Sequence, residues 1–133
     1  MDDNQRTYVA ESLNPHAGEG LFAARAFNKG ERVATMTGDI VPLAHLNALH
    51  RGYAIEFGGG NVLDPLTTTQ GSLGHKANSP QDDPLGRRAN AEFRVDRRNM
   101  RINLVATRNI SQGDEILVPY GARFSRELSR NAN

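Results

Sequence analysis

The sequence has no cysteine and no tryptophan, and only two of its basic residues are lysines. The absence of cysteine excludes disulfides and thiolate zinc sites, and it removes cysteine usage as a guide to the redox compartment. No apolar run approaches the roughly 18 residues of a membrane-spanning helix. The N-terminus also lacks the succession of basic, apolar and small residues that marks a signal peptide. These absences predict a soluble intracellular protein.

The length of 133 residues suits one domain that buries roughly two-thirds of its unfolded surface. We expect residues 1–133 to form this single domain, with a core at about 7–124 and polar tails at 1–6 and 125–133. The formal net charge of +1 is too small to indicate a polyanionic partner by itself.

Positive charge is nevertheless concentrated in one segment. Between Arg87 and Arg108 there are seven arginines against two acidic residues, a local excess of five positive charges. Such a segment is either a solvated strand face and loop or a surface for an acidic partner or nucleic acid. The sequence leaves both interpretations open.

Short segments rich in β-branched and apolar residues recur along the chain, separated by turn formers, and this spacing predicts a mainly β domain. Strands are expected at 7–12, 21–24, 32–36, 53–57, 61–63 and 91–95, with glycines 58–60 turning the fourth into the fifth. One helix is predicted for residues 42–50. Proline suits its first position, and Leu43, Leu46 and Leu49 recur at helical spacing.

The stretch from residue 101 to 124 organises the rest of the chain. Its apolar positions are Ile102, Leu104 and Ala106 in a first run and Ile116 and Val118 in a second. A polar turn at residues 111–113 separates the two runs, and the second run ends at Tyr120. The pattern predicts a hairpin that delivers a phenol to the end of its second strand.

Three earlier segments carry further motifs. Residues 18–30 read Gly-Glu-Gly, then Phe-Ala and Lys-Gly, while residues 74–78 read Gly-His-Lys-Ala-Asn and residues 89–93 read Ala-Asn-Ala-Glu-Phe. With residues 106–121 they resemble, in this order, the SET domain of protein lysine methyltransferases. The family pattern is a G-x-G followed by F/V-A and K/G-G, then an N-H-S-x-x-P-N-A segment, then A-x-x-I-x-x-G-E-E-I-x-x-x-Y-G. The resemblance extends over about 7–124, and its middle motif is the most altered.

This resemblance implies a mainly β SET-domain (β-clip) fold of several small sheets, with a knot-like C-terminal threading and one or two short helices. It implies transfer of a methyl group from S-adenosylmethionine to the ε-amine of a protein lysine. In its size the chain resembles the small stand-alone SET proteins that occur in bacteria and viruses. Some of these proteins act on host histones. In that fold the middle motif and the C-terminal tyrosine segment meet, although they are far apart in sequence.

The resemblance also implies roles for single residues. Tyr120 matches the family's catalytic tyrosine, whose hydroxyl orients the methyl group and the amine. Tyr53 resembles a first-half tyrosine that lines the substrate channel or meets the cofactor, and it is the second catalytic candidate. Val118 occupies a channel position where a hydroxyl would restrict the product. Its valine implies that di- and trimethylation are allowed.

The implied contacts to S-adenosylmethionine are Gly18, Glu19, Gly20, Asn78, Ser79 and Phe124. The glycine loop, residues 18–20, lets backbone groups approach the methionine part of the cofactor, because glycine permits close approach and positive φ. Asn78 holds the cofactor through its side-chain amide, and Ser79 stands where histidine is usual. Phe124 lies where an aromatic near adenine is expected. An alternative alignment pairs residues 74–75 with the family's Asn-His.

The four histidines show no spacing that suggests a shared metal ion, so no metal site is expected. The main alternative function is a non-catalytic SET-like module that binds a protein tail, because the altered middle motif would weaken cofactor binding. The expected partner is a lysine-containing tail of a histone or another basic DNA-associated protein. Membrane association and direct nucleic-acid binding are not expected. The location would be cytoplasmic for a bacterial protein, and the host nucleus or secretion into the host for a viral protein or effector.

Overall fold

The computed structural model describes residues 3–67, 72–81 and 83–119, which form three small antiparallel sheets of three strands each. The strands are β1 (Thr7–Glu11), β2 (Glu19–Ala23), β3 (Arg32–Met36), β4 (Asp39–Pro42), β5 (Ile55–Gly58), β6 (Asn61–Asp64), β7 (Ala91–Asp96), β8 (Arg101–Ala106) and β9 (Glu115–Ile116). The strand orders are β1-β2-β9, β3-β8-β7 and β4-β6-β5. The mainly β fold expected from the sequence is confirmed, and each of the six strands predicted up to residue 95 has a counterpart.

Within the described residues the helical elements are short 3₁₀ turns. They lie at Asp3–Gln5, Leu43–His45, Ala48–His50, Pro65–Thr67 and Gly74–Lys76. No helix in this part of the chain is long and apolar enough to cross a membrane.

The helix predicted for residues 42–50 is wrong. Pro42 instead ends β4, and extended backbone at Leu46 (ψ 130°) and Asn47 (ψ 124°) separates two 3₁₀ turns. The Asn47 side chain accepts a hydrogen bond from the Leu49 N–H, which caps the second turn and competes with a continuous helix. Leu49 is 86% exposed. The apolar stripe that would stabilise a helix is therefore not buried as a unit.

The hairpin predicted for the C-terminal stretch is also wrong. β8 lies between β3 and β7, whereas β9 pairs with β2 in another sheet, in the register Leu21↔Ile116 and Phe22↔Glu115. The connection between β8 and β9 instead pairs with an earlier segment, through an antiparallel bridge of Phe27 and Ile110. The predicted turn does form, since the Asp114 N–H donates to the Ser111 carbonyl. Alternation alone could not reveal that the two runs join different sheets.

Two clusters of buried side chains hold the sheets together. The larger includes Leu21, Phe27, Val33, Leu104, Ile110, Ile116 and Val118, and the smaller includes Met36, Ile55, Phe57, Leu63 and Ile102. β3 and β8 contribute to both clusters. The central sheet therefore ties the first sheet to the third.

Residues 1–6 were predicted to form a polar tail, but the chain from Asp3 onward is part of the fold. Asp3 is fully buried, and its carboxylate accepts hydrogen bonds of 2.8 Å from the Thr35 and Leu73 N–H groups. Burial raises the pKa of Asp3 above its usual value, although these backbone donors and Arg32 oppose the shift. A buried charge requires hydrogen-bond partners, and Asp3 finds them at Thr35 and Leu73. These bonds tie the N-terminal segment to the core.

The C-terminal segment is held by both parts of the middle motif, residues 74–78 and residues 89–93. Asn78 forms a parallel bridge with Leu117, and the Val118 N–H donates to the Asn78 carbonyl at 2.8 Å. The Asn90 side chain accepts from the Leu117 N–H and donates to the Glu115 carbonyl, both at 2.9 Å. The prediction that these distant segments meet is confirmed.

Candidate functional site

A cavity of about 480 Å³ lies where three segments of the described chain come together. Its lining comprises residues 17–19, Gly52, Tyr53 and residues 75–79. The volume is within the range of small-molecule sites, about 300–1,000 Å³. The structure thus brings together the glycine loop, the first-half tyrosine and the middle motif.

The glycine loop contributes one wall. Gly18 has φ +73°, a conformation that glycine adopts without strain, and its carbonyl accepts the Ser12 N–H at 2.8 Å. Gly20 lies behind the lining and is buried. A side chain at Gly20 would collide with the Glu115 carboxylate and would lie 3.2 Å from the Asn78 amide nitrogen. Glycine is required at this position because protein groups, rather than solvent, surround it.

Asn78 connects the glycine loop to the middle motif. Its side-chain nitrogen donates to the Glu19 carbonyl at 2.8 Å and approaches the Glu115 carboxylate at 3.4 Å. Its backbone carbonyl is engaged by Val118. The side chain is therefore held from two directions while it lines the cavity.

Glu115 is the buried charge beneath this arrangement, with 4% of the residue exposed. Its carboxylate accepts from the Ser12 hydroxyl at 2.7 Å, from the Leu13 N–H at 3.1 Å and from Arg87 at 2.8 Å, besides Asn78. Glu115 was not among the site residues predicted from the sequence. The available signal was an acidic residue placed directly beside the apolar positions of a predicted strand, where burial requires dedicated partners.

Two opposite charges stand at the cavity. Lys76 Nζ lies 3.2 Å from Glu19 Oε1, and the two side chains are 35% and 65% exposed. An ion pair this exposed contributes little to stability, about 0–1 kcal/mol, so a ligand can separate it at small cost. Lys76 was not predicted as a site residue, although it lies two positions before Asn78 and is one of two lysines in the chain.

The third wall is aromatic. Tyr53 and His75 meet edge to face, with ring centroids 6.1 Å apart and planes at 79°. Tyr53 is 42% exposed, whereas His75 is buried. The turn that carries Tyr53 is anchored because the Tyr53 N–H donates to the His50 carbonyl and the His50 ring lies 2.6 Å from Asp64. His75, like Lys76, lines the cavity and was not predicted as a site residue.

The structure also bears on how the middle motif aligns. Asn78 and Ser79 line the cavity, and Ser79 accepts a hydrogen bond from the Gln81 N–H. Gly74 does not line it, and an added Cβ there would lie 2.6 Å from the Thr35 carbonyl oxygen. An asparagine could not replace Gly74 without moving backbone. The geometry therefore favours the alignment on Asn78, and the roles of these residues stay predictions.

The last three predicted residues belong to the C-terminal stretch of residues 101–124. Tyr120 and Phe124 lie outside the described residues, so their roles stay predictions. Val118 is 1% exposed, belongs to the larger core cluster and is not among the lining residues. Its assignment to a substrate channel likewise stays a prediction.

The arginine-rich segment is largely engaged within the protein. Arg87 contacts Asp83 and Glu115, Arg94 contacts Glu92, Arg101 contacts Asp96, and the Arg97 guanidinium lies 5.6 Å from the centroid of the Phe57 ring. The hydrogen bond from Arg87 lowers the pKa of Asp83 to about 2. Three of the seven arginines thus pair with carboxylates, which offsets part of the local positive charge, and both interpretations of the segment stay predictions.

A family model described as the SET domain matches residues 18–121. A search of curated protein sequences found no match.

Solved structures resemble the chain over most of its length. The Polycomb complex ctPRC2, in an autoinhibited conformation bound to S-adenosylmethionine, gives a TM-score of 0.67 at 22% identity, covering 96% of this chain and 17% of that chain. A Plasmodium falciparum protein assigned as a histone methyltransferase gives 0.66 at 19% identity, covering 90% and 96%. A humanized mutant of the Chaetomium thermophilum Polycomb Repressive Complex 2, bound to the inhibitor GSK126, gives 0.69 at 25% identity, covering 89% and 15%. This chain therefore spans about a sixth of the Polycomb chains.

Proposed function

This chain belongs to the SET-domain family, since the family model matches residues 18–121, and we propose that it transfers a methyl group from S-adenosylmethionine to a lysine side chain of a protein. The family expected from the sequence is thereby confirmed. The observation that carries the proposal is the cavity in which the glycine loop, Asn78 and Tyr53 converge. These are the positions where the family resemblance implied the cofactor and the channel.

The residues of the cavity fit the proposed cofactor. The amino-acid part of S-adenosylmethionine carries one ammonium and one carboxylate group, and Glu19 and Lys76 offer the opposite charges at the cavity. The glycine loop exposes backbone groups without side chains at Gly18. A relative of the same fold that is bound to S-adenosylmethionine supports the same cofactor here.

The methyl acceptor must be a neutral amine. A free lysine has a pKa of about 10.4 and is almost wholly protonated at neutral pH. Desolvation in an apolar and aromatic channel lowers that pKa and frees the nitrogen lone pair. Tyr53, half exposed at the cavity, supplies such a surface, and Tyr120 is the residue proposed to orient the amine.

The bound cofactor supplies an electrophilic methyl group on a sulfonium. With the cofactor held at Asn78 and the glycine loop, the lysine nitrogen would form the new bond to carbon as the carbon–sulfur bond broke, and a neutral thioether would be left. One proton leaves the alkylated amine for solvent. No metal ion is needed for this balance.

The substrate is proposed to be a protein, and a histone is the first candidate. The support is that structural relatives include a protein assigned as a histone methyltransferase and chains of a Polycomb complex. Di- and trimethylation are proposed on the basis of valine at position 118.

Calorimetric titration with S-adenosylmethionine and its demethylated product tests the cofactor step. We expect saturable binding of both, and we expect Tyr120→Phe to keep this binding while it loses most methyl transfer to extracted histones. Absence of binding up to millimolar cofactor would support the alternative of a non-catalytic module that binds a protein tail. Products that stop at monomethyl-lysine in a long incubation would contradict the proposed degree of methylation.

A further inference from the structure

The Glu115 carboxylate has a full set of hydrogen-bond donors. Oε2 accepts from the Ser12 hydroxyl at 2.7 Å and from the Asn78 amide at 3.4 Å. Oε1 accepts from the Leu13 N–H at 3.1 Å and from Arg87 Nη1 at 2.8 Å. An ionised carboxylate has about four acceptor sites, so all of them are used.

The Asn78 amide is consequently fixed in one orientation. Its nitrogen donates to the Glu19 carbonyl and to Glu115, which engages both of its hydrogens. A flipped amide would place its oxygen against two acceptors, the Glu19 carbonyl at 2.8 Å and the Glu115 carboxylate. The orientation of an amide is assigned from its hydrogen-bond network. Here the Glu19 carbonyl and the Glu115 carboxylate favour the same orientation.

The fixed orientation leaves the Asn78 side-chain oxygen available. Asn78 lines the cavity, and among the described residues no donor is paired with that oxygen. An oxygen acceptor beside a carboxylate is suited to an N–H group, and most of all to a charged ammonium.

We propose that Glu115 is a positioning residue for the cofactor, because it holds the Asn78 amide so that its oxygen accepts from an N–H group of S-adenosylmethionine. This inference rests on the proposed function. The cofactor has two such donors, the α-ammonium group and the 6-amino group of adenine. The common chemistry is an N–H donor, and the test separates the two sources.

The surroundings of Glu115 explain why this residue is a carboxylate rather than an amide. Glutamine would replace one oxygen by a donor. At the Oε2 site the donor would face the Asn78 nitrogen, and at the Oε1 site it would face both the Leu13 N–H and Arg87. Either arrangement opposes donors to donors, and the Asn78 amide loses the partner that fixes it.

The test compares three ligands on the wild-type protein and on Glu115→Gln by calorimetry. The ligands are S-adenosylhomocysteine, its analogue without the α-amino group, and its analogue with an oxo group in place of the 6-amino group. In the wild type, we expect one of the two analogues to bind about tenfold or more weakly than the parent, as expected for loss of one hydrogen bond to a polar or charged group. In Glu115→Gln, we expect that ratio to be about threefold or more below its wild-type value, because the Asn78 contribution is lost while the Glu19 charge remains.

Two further variants make the outcome decisive. Asn78→Ala removes the proposed acceptor and should lower the ratio by a similar factor, whether or not Glu115→Gln folds. Asp96→Ala removes the acceptor of the Asn99 and Arg101 hydrogen bonds at the far end of β7, away from the cavity lining, and should lower thermal stability while it keeps the wild-type ratio.

Each result has a distinct meaning. If the wild type binds neither S-adenosylmethionine nor S-adenosylhomocysteine, the proposed function fails. If the wild type binds them but neither analogue is weaker, or if Asn78→Ala or a folded Glu115→Gln keeps the wild-type ratio, the positioning role is overturned while the cofactor site stands.

Discussion

The Asn78 amide nitrogen lies 2.8 Å from the Glu19 carbonyl oxygen, across a sequence separation of 59 residues. One hydrogen bond thus joins the two motifs that the family resemblance assigned to the cofactor. Because the C-terminal segment binds Asn78 through its backbone as well, the same residue links all three motif segments. A substitution at Asn78 keeps the backbone link to the C-terminal segment and removes the side-chain link to the glycine loop.

Asn78→Ala should weaken S-adenosylmethionine binding about tenfold to a hundredfold, equal to about 1.5–3 kcal/mol, because it removes polar contacts at the cavity. Calorimetric titration measures the change. Asn99→Ala is the matched control, since that asparagine also donates to a carboxylate but lies in the β7–β8 turn. Unchanged affinity in Asn78→Ala would show that the middle motif is misaligned.

Gly20→Ala should lower the free energy of unfolding by about 1–3 kcal/mol, the usual penalty for overpacking a filled site. The new methyl group would meet the Glu115 carboxylate, which is itself fixed by its donors. Chemical denaturation measures the loss. Gly52→Ala is the control, because an added Cβ there meets nothing within 4 Å. Equal stability of the two variants would mean that the Glu115 side chain can move aside.

Lys76→Met should weaken S-adenosylmethionine binding about threefold to tenfold while thermal stability changes little, since the Lys76–Glu19 pair is mostly exposed. The difference from wild type should shrink at high salt, because exposed charges are screened. Lys29→Met is the matched control, as the only other lysine of the chain. Equal losses in both variants would point to net charge rather than to the cavity.

The convergence of the motifs was predictable because each motif has a local requirement that the sequence displays. A glycine with positive φ at residue 18 and a chain of short strands can be recognised without knowledge of tertiary contacts. The alignment on Asn78 was also within reach, because the neighbouring alanine and the later asparagine matched together. These features depend on residue type and spacing.

Other features depend on partners that a linear pattern does not specify. The segment at residues 42–50 has helical spacing of leucines, but helix stability comes mainly from packing, and Leu49 is exposed. β8 and β9 alternate like the strands of a hairpin, yet β8 pairs with β3 and β7 in one sheet and β9 pairs with β2 in another. Strand pairing is decided by nonlocal contacts, so neighbouring strands in sequence need not be neighbours in space.

The site residues that were not predicted from the sequence have one cause in common. Glu115, Lys76 and His75 act through neighbours that only the fold assembles. Glu115 in particular is identified by what surrounds it, namely Ser12 and Arg87 from distant segments. For Glu115, the available signal in the sequence was an acidic residue directly beside the apolar positions of a predicted strand.

Acid should weaken the protein through Asp83. Arg87 donates to this carboxylate and lowers its folded-state pKa to about 2, from an ordinary value of 3.8. A lowered pKa means that the folded state holds the charged form more strongly than the unfolded chain does. The resulting stability is present above pH 3.8 and is lost as pH falls through about 2.

Asp83→Asn should therefore be less stable than wild type at pH 5, and the difference should shrink steadily between about pH 4 and pH 2. Urea denaturation of both proteins across this range measures it, and the subtraction removes carboxylates common to both. The contribution of Asp3 to stability should change with pH in the opposite direction. Burial raises its pKa, so the folded state takes up a proton more readily than the unfolded chain, and wild type should gain stability relative to Asp3→Asn as pH falls toward the ordinary value. A constant difference between wild type and Asp83→Asn over the whole range would mean that the Arg87 contact does not hold the charged form of Asp83 in solution.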